Sequence, residues 1–332
     1  QEKIPYINLS LEGEQTSIET IFNLLPARIS KNFKRYKSRG SAFFSLRLEG
    51  QIRHKTGPQL AIDFGLENAE ISYPNSALTI EGVSTKGLFL AEDILNLSTG
   101  TLEMTDIRGK FENKDFMSEL VYKDFHNPHL TLAFDGAFEL SSLSKLADIS
   151  QIEDASGSMN IALKFNGDLN HLKNKASVNK IETDGQIEMD NISFKHQSLK
   201  LPVQELSGTL LFNHSDIALS NVQGFYGSSD FLLNGLFKNL FANVLFDNEP
   251  LGIEANLKSE FIDLNELLMN ADSSDSEAYL FKLSPKLRLK FECEVSKLAF
   301  RRFNPHNING TILIKDQQLQ TDKIEYEGMG GQ

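Results

Sequence analysis

The sequence predicts an all-β chain with a few short helices, an elongated antiparallel sheet built from repeats of about 120 residues. Three observations point there. The first is internal repetition. Shifted back by 115 residues, Ile217, Leu219, Val222, Gly224, Asp230 and Phe231 fall on Leu102, Met104, Ile107, Gly109, Asp115 and Phe116 without a gap. Shifted forward by 102, Leu206, Gly208, Thr209 and Leu211 fall on Ile308, Gly310, Thr311 and Leu313. The second is period-two alternation, which places Phe44, Leu46 and Leu48 on one strand face and Arg47 and Glu49 on the other. The third is the brevity of every helical pattern.

In chain order, residues 5–13 (PYINLSLEG) form the first alternating strand, and Pro128, Leu130, Leu132, Phe134 and Gly136 repeat it 123 residues later. A third copy begins at Pro250. A short helical signal follows each copy: Ile18, Ile21, Phe22 and Leu25; Leu143 and Leu146; and Leu264, Leu267 and Leu268. Ile29, Phe33 and Tyr36 extend the first helix over 27–37. Next, Gly40-Ser41 opens a strand repeated 117 residues later from Gly157-Ser158 through Ile161, Leu163 and Phe165. Leu289, Phe291 and Val295 form the third copy, with Cys293 in a glycine place as a small packed residue. A further strand carries Leu66 and Ile71, then Ile187 and Ile192. The strands headed by Gly87 and Gly208 come next, and extra residues between Leu90 and Thr101 read as a hairpin loop. The chain thus reads as one array with about five strands per repeat, spanning 5–127, 128–249 and a partial 250–332. It includes a linker-like segment at 271–278 and is expected to be a piece of a longer protein.

Composition narrows the function classes. A net charge of −12 argues against a nucleic-acid partner, which would require a basic surface. The single cysteine excludes an internal disulfide framework and a multi-cysteine metal site. His126 and His129 sit in HNPH, where Pro128 rules out a helical histidine pair, and Asp272, Asp275 and Glu277 lack the spacing of a calcium loop. No nucleophile elbow or phosphate-binding glycine motif occurs. The recurring Asp115 and Asp230 read as turn residues. The expectation is a non-enzymatic chain with no catalytic residue, metal or cofactor.

Two surfaces remain as candidates. Arg28, Lys31, Lys34, Arg35, Lys37 and Arg39 form a basic run inside an acidic chain, either a solvated face or a contact for anionic headgroups. The larger candidate is the apolar strand face itself. A soluble monomer rarely exposes an apolar patch above roughly 300–600 Å², and a few one-turn helices cannot cover a face of this extent. The sheet must therefore curl into a sandwich or leave a trough that acyl chains fill. Phe44, Leu46, Leu48, Ile161, Leu163, Phe165, Leu289 and Phe291 are the candidate lining, because they recur on one parity.

The order of a P-x-L-x-L strand, a DLNELL-type helix, a G-S strand, an L-S-G-T strand and then I-x-L-S-x-V-x-G-x-Y-G-x-S-D-F resembles the C-terminal part of the AsmA-like family, with Leu206–Phe231 carrying the closest match. That family belongs, with TamB-like proteins, to the repeating β-groove, bridge-like lipid-transfer proteins. The resemblance implies a taco-like groove, with a β-sandwich as the alternative. It also implies a periplasmic segment of a Gram-negative protein anchored in the inner membrane by a segment outside this chain. Its expected partners are phospholipid or another acyl-chain lipid and envelope membrane proteins, in phospholipid transport or outer-membrane biogenesis. The alternative function is a structural or protein-binding β-array with a closed core.

Overall fold

A computed structural model describes residues 4–25, 30, 36–73, 78–146, 152–197, 199–246, 249–268 and 287–328. The first repeat holds β1 (Tyr6–Thr16), α1 (Ile18–Leu24), β2 (Lys37–Gln51), β3 (Gln59–Ser72), β4 (Thr79–Ala91), β5 (Thr101–Phe111) and β6 (Lys114–Lys123). The second holds β7 (His129–Glu139), α2 (Leu140–Leu146), β8 (Ile152–Asp168), β9 (Glu182–His196), β10 (Val203–Asn213), β11 (Asp216–Tyr226) and β12 (Ser229–Lys238). After α3 (Leu240–Leu245) come β13 (Leu251–Asp263), α4 (Leu264–Leu268), β14 (Leu287–Ala299), β15 (His306–Lys315) and β16 (Gln318–Glu327). Among the described residues each of the first two repeats therefore has six strands, one more than the alternation suggests. The residues between Leu90 and Thr101 form a 3₁₀ turn over Ile94–Thr99, capped by the Asp93 carboxylate accepting from the Leu95 N–H, rather than an open loop. Lys37 begins β2, so the first helix does not reach it; residues 27–29 and 31–35 of that expected helix, and the segment 271–278, lie outside the described residues.

The sixteen strands are hydrogen-bonded in sequence order. The sheet is mixed, not purely antiparallel as expected, because β13 pairs with β14 in parallel. The physical reason lies in the third copy. Gly310 of β15 pairs with Cys293 of β14, as Gly208 of β10 pairs with Met189 of β9, so β14 holds the place of β9. Among the described residues no strand of the third copy holds the place of β2 or β8. In an antiparallel meander, strands two apart run the same way, and bringing them together makes a parallel pair.

The repeats also share their irregularities. Gly40 and Gly157 both have left-handed φ values, +125° and +89°. Left-handed residues recur at Asn68 and Asn191, at Gly82, Glu205 and Asn307, and at Asp106, Asn221 and Lys323, each at a register shift between neighbouring strands. Even the supporting hydrogen bond repeats. Asn68 N–H donates to Ser84 Oγ at 3.3 Å, and Asn191 N–H donates to Ser207 Oγ at 3.0 Å, both partners displaced by 123 residues.

By internal contacts the chain forms two compact units, residues 1–138 with 161–174 and residues 139–160 with 175–332. The first unit contains a closed core. Ile18, Ile21 and Leu25 pack with Ala42 and Phe44 of β2, Ile62, Phe64 and Ala69 of β3, Phe89 of β4 and Leu102 of β5. Helix α1 covers this face at β2 and β3, the turn Ile94–Thr99 packs against β4, and Ile62 and Phe89 are 0% exposed. In the second unit α3 rests against β13 and the turn Val178–Lys180, where Val178, Ile181 and Ala242 are buried.

A side chain at Gly40 would meet the Ala69 Cα at 2.7 Å, and one at Gly157 the Asn191 carbonyl oxygen at 2.3 Å. Gly40→Ala and Gly157→Ala should therefore each destabilise by about 2 kcal/mol or more in chemical denaturation. Gly82→Ala should cost about 1 kcal/mol or less, because its Cβ would meet only Asn68 Oδ1 at 3.9 Å and the equivalent positions hold Glu205 and Asn307. Equal losses at all three would show that the local strain argument is wrong.

Candidate functional site

The candidate site is a set of apolar cross-strand rows on one face of each unit. In the first unit Leu11, Leu46, Ile62, Phe89, Leu102, Tyr122 and Leu130 are successive partners from β1 to β7. Alternation puts them on one side, and cross-strand contact between large apolar residues stabilises each pairing. Glycines keep the neighbouring row level. Gly87 opposes Phe64 and Gly13 opposes Phe44; in both pairs the aromatic ring lies where a Cβ would sit, at 2.2 and 2.3 Å. The row closes on α1 at β2 and β3 and on Phe125 beside Phe89 of β4, but opens at its edge, where Leu9 and Leu11 are 49% and 51% exposed.

The second unit carries a matching pair of rows. Phe212, Ile217, Phe237, Ile253, Leu289, Ile314 and Leu319 succeed one another from β10 to β16. Leu210, Leu219, Gly235, Ala255, Phe291 and Ile312 lie beside them. The opposite face is charged at β13 and β14, where Glu254, Lys258, Lys290 and Glu294 are exposed and Lys258 pairs with Glu294 at 2.7 Å, and carries Leu211, Leu236 and Leu313 on β10, β12 and β15. Yet the apolar rows are only partly sealed. Ile217, Leu219, Ala255, Leu289 and Ile314 are buried, while Leu210, Phe212, Phe237, Ile253, Phe291 and Ile312 remain half-buried. Among the described residues the unit's α-helices, α2, α3 and α4, have seven, six and five residues.

The eight residues expected to line a trough are distributed accordingly. Phe44 belongs to the closed core, and Leu46 and Leu48 pack against it. Ile161, Leu163 and Phe165 of β8 are half-buried, Phe291 is half-buried, and Leu289 is buried. Of the basic run, Lys37 and Arg39 are exposed at the start of β2, and Arg28, Lys31, Lys34 and Arg35 lie outside the described residues.

The D-L-N-E signal resolves into three anchors. Asp263 Oδ1 caps α4 by accepting from the Asn265 and Glu266 N–H groups at 2.9 and 3.3 Å. Asn265 Oδ1 accepts from the Arg301 N–H at 2.7 Å, and Glu266 Oε2 from the Ser228 N–H at 2.8 Å. One helix turn therefore holds the β11–β12 turn and the end of β14 together. Asp230 does not act as a turn residue: its carboxylate accepts the Glu260 and Phe261 N–H groups at 2.9 and 2.7 Å, holding the far end of β13. Asp115 instead faces Lys110 at 3.7 Å. Burial pushes the Cys293 thiol up to about 11, as suits a packed residue opposite Gly310.

Sequence reasoning passed over one polar cluster. His129, read only as half of HNPH, bonds through Nδ1 to Asp168 Oδ1 at 2.6 Å and through Nε2 to Asn166 Oδ1 at 3.0 Å. Thr131 donates to the same Asn166 oxygen at 3.0 Å, and the Leu169 N–H donates to the Pro128 carbonyl at 2.8 Å. The partners are 37 and 39 residues away in sequence, with no local pattern to connect them. The Asp168 hydrogen bond holds the imidazolium of His129 and raises its pKa above the ordinary 6.5.

Comparison with family models, with curated proteins and with solved structures gives no match.

Because the folded pKa of His129 is raised, its contribution to stability is complete below the ordinary value and fades as pH rises through the raised one. The melting temperature of the wild type should therefore fall relative to that of His129→Gln between about pH 6 and about pH 8. Parallel melting curves across that range would remove the proposed linkage.

Proposed function

We propose that the apolar face of the second unit binds the acyl chains of lipid, and that the chain is a non-enzymatic lipid-binding or lipid-transfer segment. The observation that carries this reading is the pair of rows from β10 to β16, in which Leu210, Phe212, Phe237, Ile253, Phe291 and Ile312 stay half-buried while the opposite face carries charges at β13 and β14. A contiguous apolar surface left in contact with water costs free energy in proportion to its area, about 25 cal/mol per Å². An acyl chain laid across such rows removes that cost without needing directional partners. The resemblance to AsmA-like proteins adds a setting: the periplasm of a Gram-negative envelope, where a parent protein anchored in the inner membrane would move phospholipid or maintain the outer membrane.

The closed core around α1 favours a second, structural role for the first unit. There the same kind of row is sealed by the protein's own side chains, with Ile62 and Phe89 fully buried. On this division, the first unit gives the array its rigidity and the second offers the binding face.

A carboxylate placed on the two faces distinguishes open from closed. Ile62→Asp buries an unpaired charge and should cost several kcal/mol, enough to unfold the first unit. Phe291→Asp should leave the circular dichroism spectrum and cooperative melt intact while reducing lipid recovered by native mass spectrometry or captured by a photo-crosslinkable phospholipid. If Phe291→Asp unfolds the protein and the wild type yields no lipid, the face is a closed core and the proposal fails.

A further inference from the structure

On the charged face of the second unit, four cations surround a bare notch between β12 and β15. Lys238 is the cross-strand partner of Gly252, and Gly252 is the partner of Arg288. Lys315 lies one residue beyond the Leu289–Ile314 pair and so stands beside Arg288, while Lys290 is two residues along β14 on the same face. These side chains line a cavity of about 350 Å³, and Glu254 is its one carboxylate among the described residues. Gly252 keeps the floor clear: an added Cβ would meet only the Lys238 Cβ at 3.3 Å and its carbonyl oxygen at 3.8 Å.

The charge arrangement runs against stability. Like charges on adjacent strands repel, and the chain as a whole carries −12, so acidic neighbours were available in composition. Lys238 binds Glu254 at 2.9 Å, and that ion pair, reinforced by nearby Lys290, holds the Glu254 carboxyl below its usual range. Among the described residues Arg288, Lys290 and Lys315 have no carboxylate within ion-pair distance. Lys290 shares Glu254, its cross-strand partner, with Lys238, which leaves Arg288 and Lys315 as two uncompensated cations side by side; one is a guanidinium able to bond two oxygens at once, and together they form a receptor for a tetrahedral oxyanion.

We infer that this notch is a binding site for a phosphate-bearing group. It lies on the face opposite the apolar rows and does not depend on their occupation. The group is either a soluble phospho-compound or the headgroup of an anionic lipid, and both present the same oxygens to Arg288 and Lys315.

Calorimetric titration of the whole chain with inorganic pyrophosphate, and flotation with phosphatidylcholine vesicles with or without phosphatidylglycerol, test the site. The wild type should bind pyrophosphate, and Arg288→Gln/Lys315→Gln should weaken that binding at least about tenfold. Glu254→Gln, which frees Lys238, should tighten it. A control, Lys86→Gln/Lys164→Gln, removes the same charge elsewhere and should leave it unchanged. Flotation that requires phosphatidylglycerol and is competed by pyrophosphate identifies a headgroup; pyrophosphate binding without flotation identifies a soluble ligand. No binding by the wild type in either assay, or equal losses in the site and control variants, would overturn the inference.

Discussion

Every strand in this protein must keep its apolar residues on one face, and a slip of a single residue would turn them all to the other. The chain meets that constraint without being strictly periodic. In β5 the inward residues are Leu102 and Met104, then Ile107 and Gly109; in β11 they are Ile217 and Leu219, then Val222 and Gly224. The change of parity falls at Asp106 and Asn221, whose left-handed backbone absorbs one residue and leaves the face unchanged. Neighbouring strands shift at matching places, so each shift is complemented by the next. The closed core, the half-open rows and the charged outer face all rest on this bookkeeping of parity.

Much of the fold was legible because the same irregularity was written more than once. The spacing I-x-L-x-x-V-x-G looks like a broken alternation in one copy, but its recurrence at an offset of 115 marks it as a structural device. Helices α1, α2 and α4 were readable from short apolar patterns after each P-x-I/L strand. Helix α3 was not, because its apolar run, Leu240–Leu245, continues the pattern of the preceding strand. The direction of β14 was also hidden. Leu289, Phe291 and Val295 match the Gly40 strand by alternation, and alternation carries no information about which neighbour a strand will choose.

The candidate surfaces were legible to different degrees. Parity identified Leu289 and Phe291 as facing the apolar side, but not that Phe44 would be sealed by α1 while Phe291 stays half-buried, since cover depends on tertiary packing. The His129–Asp168 bond and the cations around Gly252 escaped for a related reason. Each joins residues that are isolated in the sequence and become neighbours only through strand register, and in an acidic chain scattered lysines read as ordinary solvated positions.

The parallel junction between β13 and β14 also bears on how the chain assembles. Most neighbouring strands are joined by connections of a few residues, so their pairing closes small loops and forms rapidly. The connection from Asp263 to Leu287 is the longest between successive strands, and a parallel pair cannot zip from a turn. Strands β14–β16 can therefore collapse as a local meander before they find β13. The junction thus separates two local meanders joined by one long closure, and the Asn265 bond to the Arg301 N–H ties α4, at the end of one, to the end of β14 in the other.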